Sequence, residues 1–567
     1  MKCAFYCIAH AFARDSFMSL KKKENVHEQP LWQTGLNKLR ALLYRSPLYL
    51  VTLRKNPKLD ITPLPDNLKV NRPANAAQLK TGKFPFAGRT YTCADHPWSV
   101  AQDDHAWQSW VHGFSWLNDL GQSDDFDAIV SARQYIQSWL DLHGVWSPLA
   151  WRADVMGERL VHWMINADKI TTHAHDEFQQ TFKSSLSLQA HHLMRARFRD
   201  LNGYALLRAL RGQLYISLFL KGYNTKTPRI LERLSQELNK QILADGGHIS
   251  RSAQILFDVL HLCLEIIDIF NDLHKECPES VRLNIDRMAP MLRTMRHSDG
   301  GFALFHGAQV NTREAIDALL DRSGNMGQPL SDARHSGYQR IEAGRSVLIM
   351  DVAGPPDILT HPFGHAAPLS FELSNAEERL LVNCGCALGG DPGWHEALSA
   401  TAAHNCVSVD DKNCFNVLHG GGIKPYQATI TAQRFEDNGQ VLIEASHDAY
   451  KDSLGLIHQR SVYLDKTGTD LRVEDKLIGM GGSSYAISLH LHPDVHASLV
   501  QDGQAVLLKT NAGAGWHLRV QGGKLDIRES IYVPRPGEIR HSDQIIMQGP
   551  LRGEGACVKW RLSKLGG

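Results

Sequence analysis

The apolar residues of this chain change their spacing once, and that change constrains the fold more than any single motif. From Asp104 to Leu320 they recur three and four residues apart, as in Trp107, Trp110, Val111, Phe114, Leu117 and Leu120, and again in Leu206, Leu207, Leu210, Leu214, Ile216 and Leu218. Breaks at Gly144, Gly203, Pro228, Gly246-Gly247 and Pro290 cut this stretch into helix-sized pieces, which predicts antiparallel helices stacked as an α-solenoid or toroid. After Pro329 the runs become short, alternating or β-branched, as in Ser346-Val-Leu-Ile-Met-Asp351, Val441-Leu-Ile-Glu444 and Ile487-Ser-Leu-His-Leu-His492. Many strands without intervening helices predict an antiparallel β-sandwich. The expected division is an N-terminal arm over 1–95, a helical (α/α) toroid over 96–328 and a β-sandwich over 329–567, with the boundary between Asp321 and Arg340.

Charge adds little. Lys+Arg 61 against Asp+Glu 60 gives no bulk field that would attract nucleic acid, although a local basic groove is still compatible with a polyanionic ligand. Apolar runs such as Ala41 to Leu53 and Ile255 to Phe270 are interrupted by charges, so no integral membrane segment is expected. The first residues resemble a signal peptide ending at Ala11-Phe12-Ala13, but His10 interrupts its apolar part; a start at Met18 is the rival reading. Ten cysteines scattered through so long a chain argue against a disulfide framework.

Seven tryptophans, Trp107, Trp110, Trp116, Trp139, Trp146, Trp151 and Trp163, crowd the first helical stretch. They suit either a glycan cleft or packing between helices, and packing is the commoner use. Arg152 and Arg159 stand seven residues apart, a spacing that puts two helical residues on one face, where a guanidinium holds a carboxylate of substrate or of a neighbouring helix. Asp245-Gly-Gly-His248-Ile-Ser250-Arg251-Ser252 offers His248 as a polar contact and Arg251 as a carboxylate clamp. In the strand-rich half, His365 and His404 each precede a predicted strand. Two imidazoles supply half of a tetrahedral zinc set, with Asn383 a poor third ligand. Cys384, Cys386, Cys406 and Cys414 read more readily as buried packing residues.

These residues carry a resemblance. Asp245 to Ser252, Ser336-Gly-Tyr-Gln-Arg340, Gly364-His365, Leu369-Ser-Phe-Glu-Leu373, Val382 to Gly385, Thr401-Ala-Ala-His404-Asn405 and His447-Asp-Ala-Tyr450 together resemble the heparinase II/III-like proteins, bacterial polysaccharide lyases built from a helical toroid and a β-sandwich. The resemblance implies β-elimination on a uronate: the carboxylate is neutralised, a base takes the C5 proton and an acid helps the C4 oxygen leave. By it, His248, Arg251 and His404 are expected to be catalytic, Trp151, Arg152, Arg159, Asn202 and Asn405 to contact substrate, and His365 with His404 to form an incomplete metal site, so that zinc is not favoured. It also implies an acidic polysaccharide as partner and a place in the cell envelope or periplasm.

The chain departs from the family pattern at the chemistry. Arg197 stands where active members carry Asn-His, Ile255 where they carry Tyr, and Asn383 where they carry Asp. The leading expectation is a polysaccharide lyase-like protein. The alternative is a glycan-binding or envelope polysaccharide assembly protein that has lost the catalytic Tyr and Asn.

Overall fold

The computed structural model describes residues 42–53, 60–69, 74–387 and 389–566. The leader-like stretch Cys3 to Ala13 and the alternative start at Met18 lie outside the described residues. The described residues form two compact units: one holds those up to Gln241 together with His261–Asn284, the other Ile242–Leu260 and those from Ile285 onward. The chain changes from helix to strand between the helix Arg313–Ser323 and the first strand of the second unit, Asp332–Ala333.

The first unit is helical, apart from the small hairpin Lys83–Phe86 and Arg89–Thr92. Its helices include Phe126–His143, Ala153–Thr171, Asp176–Arg195 and Gly203–Phe219. Ala153–Thr171 and Gly203–Phe219 cross where Gly157 meets Gly212. A Cβ on Gly212 would lie 2.4 Å from the Gly157 Cα, so the two backbones touch only because both residues lack side chains. The tryptophans serve this core. Trp107, Trp116, Trp139, Trp151 and Trp163 are buried, and only Trp110 and Trp146 keep partial exposure. Their rings pack edge to face, as between Trp139 and Trp163, with centroids 5.4 Å apart. Among the described residues no helix is long and apolar enough to cross a membrane.

The second unit contains three antiparallel sheets. A five-stranded meander runs through Tyr338–Ala343, Ser346–Asp351, Phe371–Asn375 and Glu378–Leu381, with Asp332–Ala333 at its edge. An eight-stranded sheet has at its centre Gly515–Gln521, Gly555–Lys564, Asp470–Gly479 and Leu456–Leu464. A four-stranded sheet contains Val407–Val409 and Ser484–His490. One apolar core joins all three sheets, from Leu348 and Phe371 through Val407 and Ile487 to Val462 and Leu562. Ser346–Asp351 and Phe371–Asn375 are buried along their whole length, and Ser346–Asp351 accordingly carries an unbroken apolar run from Val347 to Met350, whereas Leu456–Leu464 alternates in burial as a strand with one wet face.

Two Asp-Gly-Gly hairpins tie helix ends of this unit to the meander. In the first, Ile242 pairs with His248, Gly246 takes a left-handed φ of 85°, and Asp245 accepts from the Ser336 amide at 2.7 Å. In the second, Arg296 pairs with Phe302, Gly300 takes a φ of 88°, and Asp299 accepts from Arg379 Nε at 2.8 Å. Only glycine tolerates that backbone cheaply, and at Gly246 a Cβ would also fall 1.9 Å from the Arg287 carbonyl oxygen.

Candidate functional site

A buried polar cluster of the second unit forms around Asp351, at the end of the strand Ser346–Asp351. Arg251 Nη2 donates to Asp351 Oδ1 at 2.6 Å, and the same carboxylate receives His306 Nε2–H at 2.9 Å and the Ala353 amide at 2.9 Å. The remaining Arg251 donors go to backbone: Nε to the Ser336 carbonyl at 2.8 Å, Nη2 to Gly337 at 3.0 Å and Nη1 to Gly354. Arg251 also lies over the Tyr338 ring, 4.8 Å from its centroid. This guanidinium is a carboxylate clamp, as its sequence context suggests, and the carboxylate it holds is that of Asp351 in the same chain. Burial alone would raise the Asp351 pKa, but Arg251 and the His306 hydrogen bond outweigh it and hold the carboxyl below its ordinary range. Arg251, His306 and Leu369 all contact Asp351 or its backbone with left-handed φ values of 56°, 47° and 62°. Such strain costs on the order of 1 kcal/mol per residue and persists only where the surroundings dictate it.

The two histidines expected to meet do so, as links in a closed proton chain. The Gly307 amide donates to His365 Nε2 at 3.3 Å, leaving the proton on Nδ1. His365 Nδ1–H donates to His404 Nε2 at 2.8 Å, and His404 Nδ1–H donates to the Ala400 carbonyl at 2.8 Å. Both rings are buried and neutral in this arrangement. Burial pushes His404 down to about 3, and burial followed by the neighbouring imidazoles pushes His365 well below its ordinary range. Every ring nitrogen has its partner, so neither histidine has a lone pair to offer a metal.

Thiolate ligands are no nearer. Burial raises Cys384 to about 12 and holds Cys406 well above its ordinary range; Cys384 Sγ faces His490 Nδ1 at 3.4 Å, and Cys406 donates to the Thr401 carbonyl at 3.2 Å. Among the described residues no three His, Cys, Asp or Glu side chains converge on a metal position. The donors present do not fit zinc. Protein purified without chelator is expected to carry far less than one zinc per chain by elemental analysis, whereas near-stoichiometric zinc lost in His404→Ala would contradict this reading.

The other expected residues are spread apart. His248 is buried, its Nδ1 accepts the Ser250 amide at 3.0 Å, and burial pushes its pKa down to about 3. Asn405 is saturated: Nδ2 donates to the Phe371 carbonyl at 2.8 Å and Oδ1 accepts the His490 amide at 2.6 Å, so it joins strands. In the helical unit, Trp151 is buried with Nε1 donating to the His143 carbonyl at 2.9 Å. Arg152 is the N-cap residue, before the first helical turn, so its spacing from Arg159 does not put the two on one face; it pairs with Asp154 at 2.6 Å. Arg159 is fully buried, donates to Gln189 Oε1 at 2.8 Å and packs over Trp139. Asn202 is exposed ahead of the helix Gly203–Phe219.

Asp351, His306 and Tyr426 are members of the cluster that motif reading overlooked. A usable signal existed for His306: it follows a second Asp-Gly-Gly at 299–301, the same local pattern that precedes His248. Tyr426 is 37% exposed, and its phenol donates to the Pro355 carbonyl at 2.9 Å, next to the loop that Arg251 holds.

Comparison with known proteins agrees with this architecture. Residues 325–561 match the family described as Heparinase II/III-like, C-terminal. Over 519 residues the chain is 28% identical to FtsZ-localized protein C of Caulobacter vibrioides, covering 87% of this chain and 88% of that one. Among solved structures it resembles heparinase III (TM-score 0.71, 14% identity, 95% of this chain and 91% of that chain). It also resembles the Pedobacter heparinus heparan sulfate lyase HepC, solved as a mutant (TM-score 0.60, 16% identity, 95% and 92%). At these identities the structural likeness establishes the fold, a helical toroid followed by an antiparallel β-sandwich.

Proposed function

From the premise that residues 325–561 belong to the Heparinase II/III-like family, we propose that this chain is a polysaccharide lyase-like protein that binds an acidic polysaccharide of the cell envelope without cleaving it. The observation that carries the reading is the state of the inherited polar groups. A base for C5 must be able to reach substrate with a free lone pair. His365 and His404 spend theirs on each other and on Gly307, and Arg251 spends its charge on Asp351. The sequence supports the same reading at Ile255, where the family's acid and base Tyr is absent. The name of the Caulobacter relative associates that protein with FtsZ, and we extend to this chain a role in envelope polysaccharide assembly where FtsZ acts. The division into 1–95, 96–328 and 329–567 belongs to the same proposal.

One observation favours turnover instead. Tyr426 is a partly exposed phenol beside the Arg251–Asp351 pair and is the one tyrosine of that cluster with access to solvent. A panel of uronate polysaccharides separates the readings: binding without the ultraviolet absorbance of an unsaturated product supports the first. A rise that Tyr426→Phe reduces by about a hundredfold supports the second.

A further inference from the structure

The wet face of the eight-stranded sheet carries an arrangement that folding alone does not favour. Arg519, Arg561 and Arg472 stand directly opposite one another on three adjacent strands, Arg519 against Arg561 and Arg561 against Arg472. Like charges in cross-strand register repel. The row continues into Tyr463, over whose ring Arg472 lies at 5.3 Å from the centroid. One row along, Lys559 faces Glu474, and Lys476 follows on the same strand face as Glu474.

Two carboxylates serve these five cations. Asp470 takes both Arg472 and Arg561 at 2.6 Å, and Glu474 takes both Lys476 and Lys559. Arg519 has no ion pair among the described residues. The cationic heads remain in solvent, with side chains 57% exposed at Arg472, 55% at Arg561 and 60% at Lys559. A patch with a net charge of about +3 therefore sits on a chain whose formal net charge is +1.

We propose that this face is a binding surface for the carboxylates of a uronate polysaccharide, separate from the buried Asp351 cluster; the identity of the ligand rests on the function proposed above. Planar guanidinium groups one strand spacing apart, about 4.8 Å, match a linear polymer that repeats its carboxylates, and each can take a carboxylate with two parallel hydrogen bonds. Tyr463, next to Arg472 in the row, supplies an aromatic face for a sugar ring. A lipid surface fits less well. Membrane-surface elements pair basic residues with apolar anchors, and the same-face neighbours of the three arginines along their own strands are Asp470, Glu474, Lys559, Ser563, His517 and Gln521, with the exposed Phe435 three strands beyond Arg472 in the row.

The test is equilibrium binding of polygalacturonate to the full chain and to a variant with Arg472→Gln, Arg519→Gln and Arg561→Gln. The variant is expected to bind at least about tenfold more weakly, with its melting temperature held, because exposed ion pairs contribute little to stability. Arg→Lys at the same three positions should recover part of the affinity, and binding should weaken as salt rises toward about 0.5 M. Undiminished binding by the Gln variant overturns this surface while leaving the proposed function in place. Failure of the unaltered chain to bind the polymer overturns both. Loss of binding to phosphatidylglycerol vesicles with polymer binding retained overturns the glycan assignment in favour of a membrane.

Discussion

Replacing Arg251 with alanine is expected to destabilise the second unit by about 3–5 kcal/mol, the cost of leaving a buried carboxylate without its counter-charge. Asp351 would keep only His306 and the Ala353 amide, and the Ser336, Gly337 and Gly354 carbonyls would lose their donor. Urea denaturation at neutral pH measures the loss. Removing both charges at once, with Arg251→Met and Asp351→Leu, should restore part of it, since apolar residues of similar size often replace a buried ion pair at little cost. A single-variant loss below about 1 kcal/mol would mean that the guanidinium is hydrated, and would reopen Arg251 as a clamp for a ligand.

Acid is expected to destabilise the same unit steeply, well above the range in which carboxylates titrate. Burial pushes His248 and His404 down to about 3 and His361 and His490 down to about 4, whereas an unfolded histidine titrates near 6.5. The unfolded chain therefore binds more protons between those values. Stability is fully present above about pH 6.5 and is lost as the pH falls toward 4. Each such histidine contributes a slope of about 1.4 kcal/mol per pH unit in that window. Melting temperatures from pH 7.5 to 5 check this, and His361→Gln should flatten the fall by one histidine's share. A profile level down to pH 5 would show that these rings are not held neutral.

The fold was legible because burial leaves its period in the chain. The helical spacing up to Leu320 and the short strand-like runs such as Val441-Leu-Ile-Glu444, whose Val441 and Ile443 are buried in the strand Gln440–His447, reflect which side chains meet the core. The cluster was only half legible. His365 and His404 could be paired because each stands just ahead of a strand, but whether their lone pairs are free depends on Gly307 and Ala400, which no spacing rule brings to them. Arg251 announced itself through its glycine-rich setting. Its partner lies 100 residues away at the end of an apolar strand, where an aspartate reads as a turn residue. Arg152 and Arg159 show the reverse failure: heptad spacing places residues on one face only where both are helical, and Arg152 is the cap.

We propose that this lyase-like fold retains a ligand and has given up turnover. It is tested most directly by incubating the purified chain with polygalacturonate at a concentration where binding is established, and following the ultraviolet absorbance of the unsaturated product in the same sample. The account predicts bound polymer and no rise above the protein-free control. A sustained rise that tracks enzyme concentration and disappears in His404→Ala would contradict it.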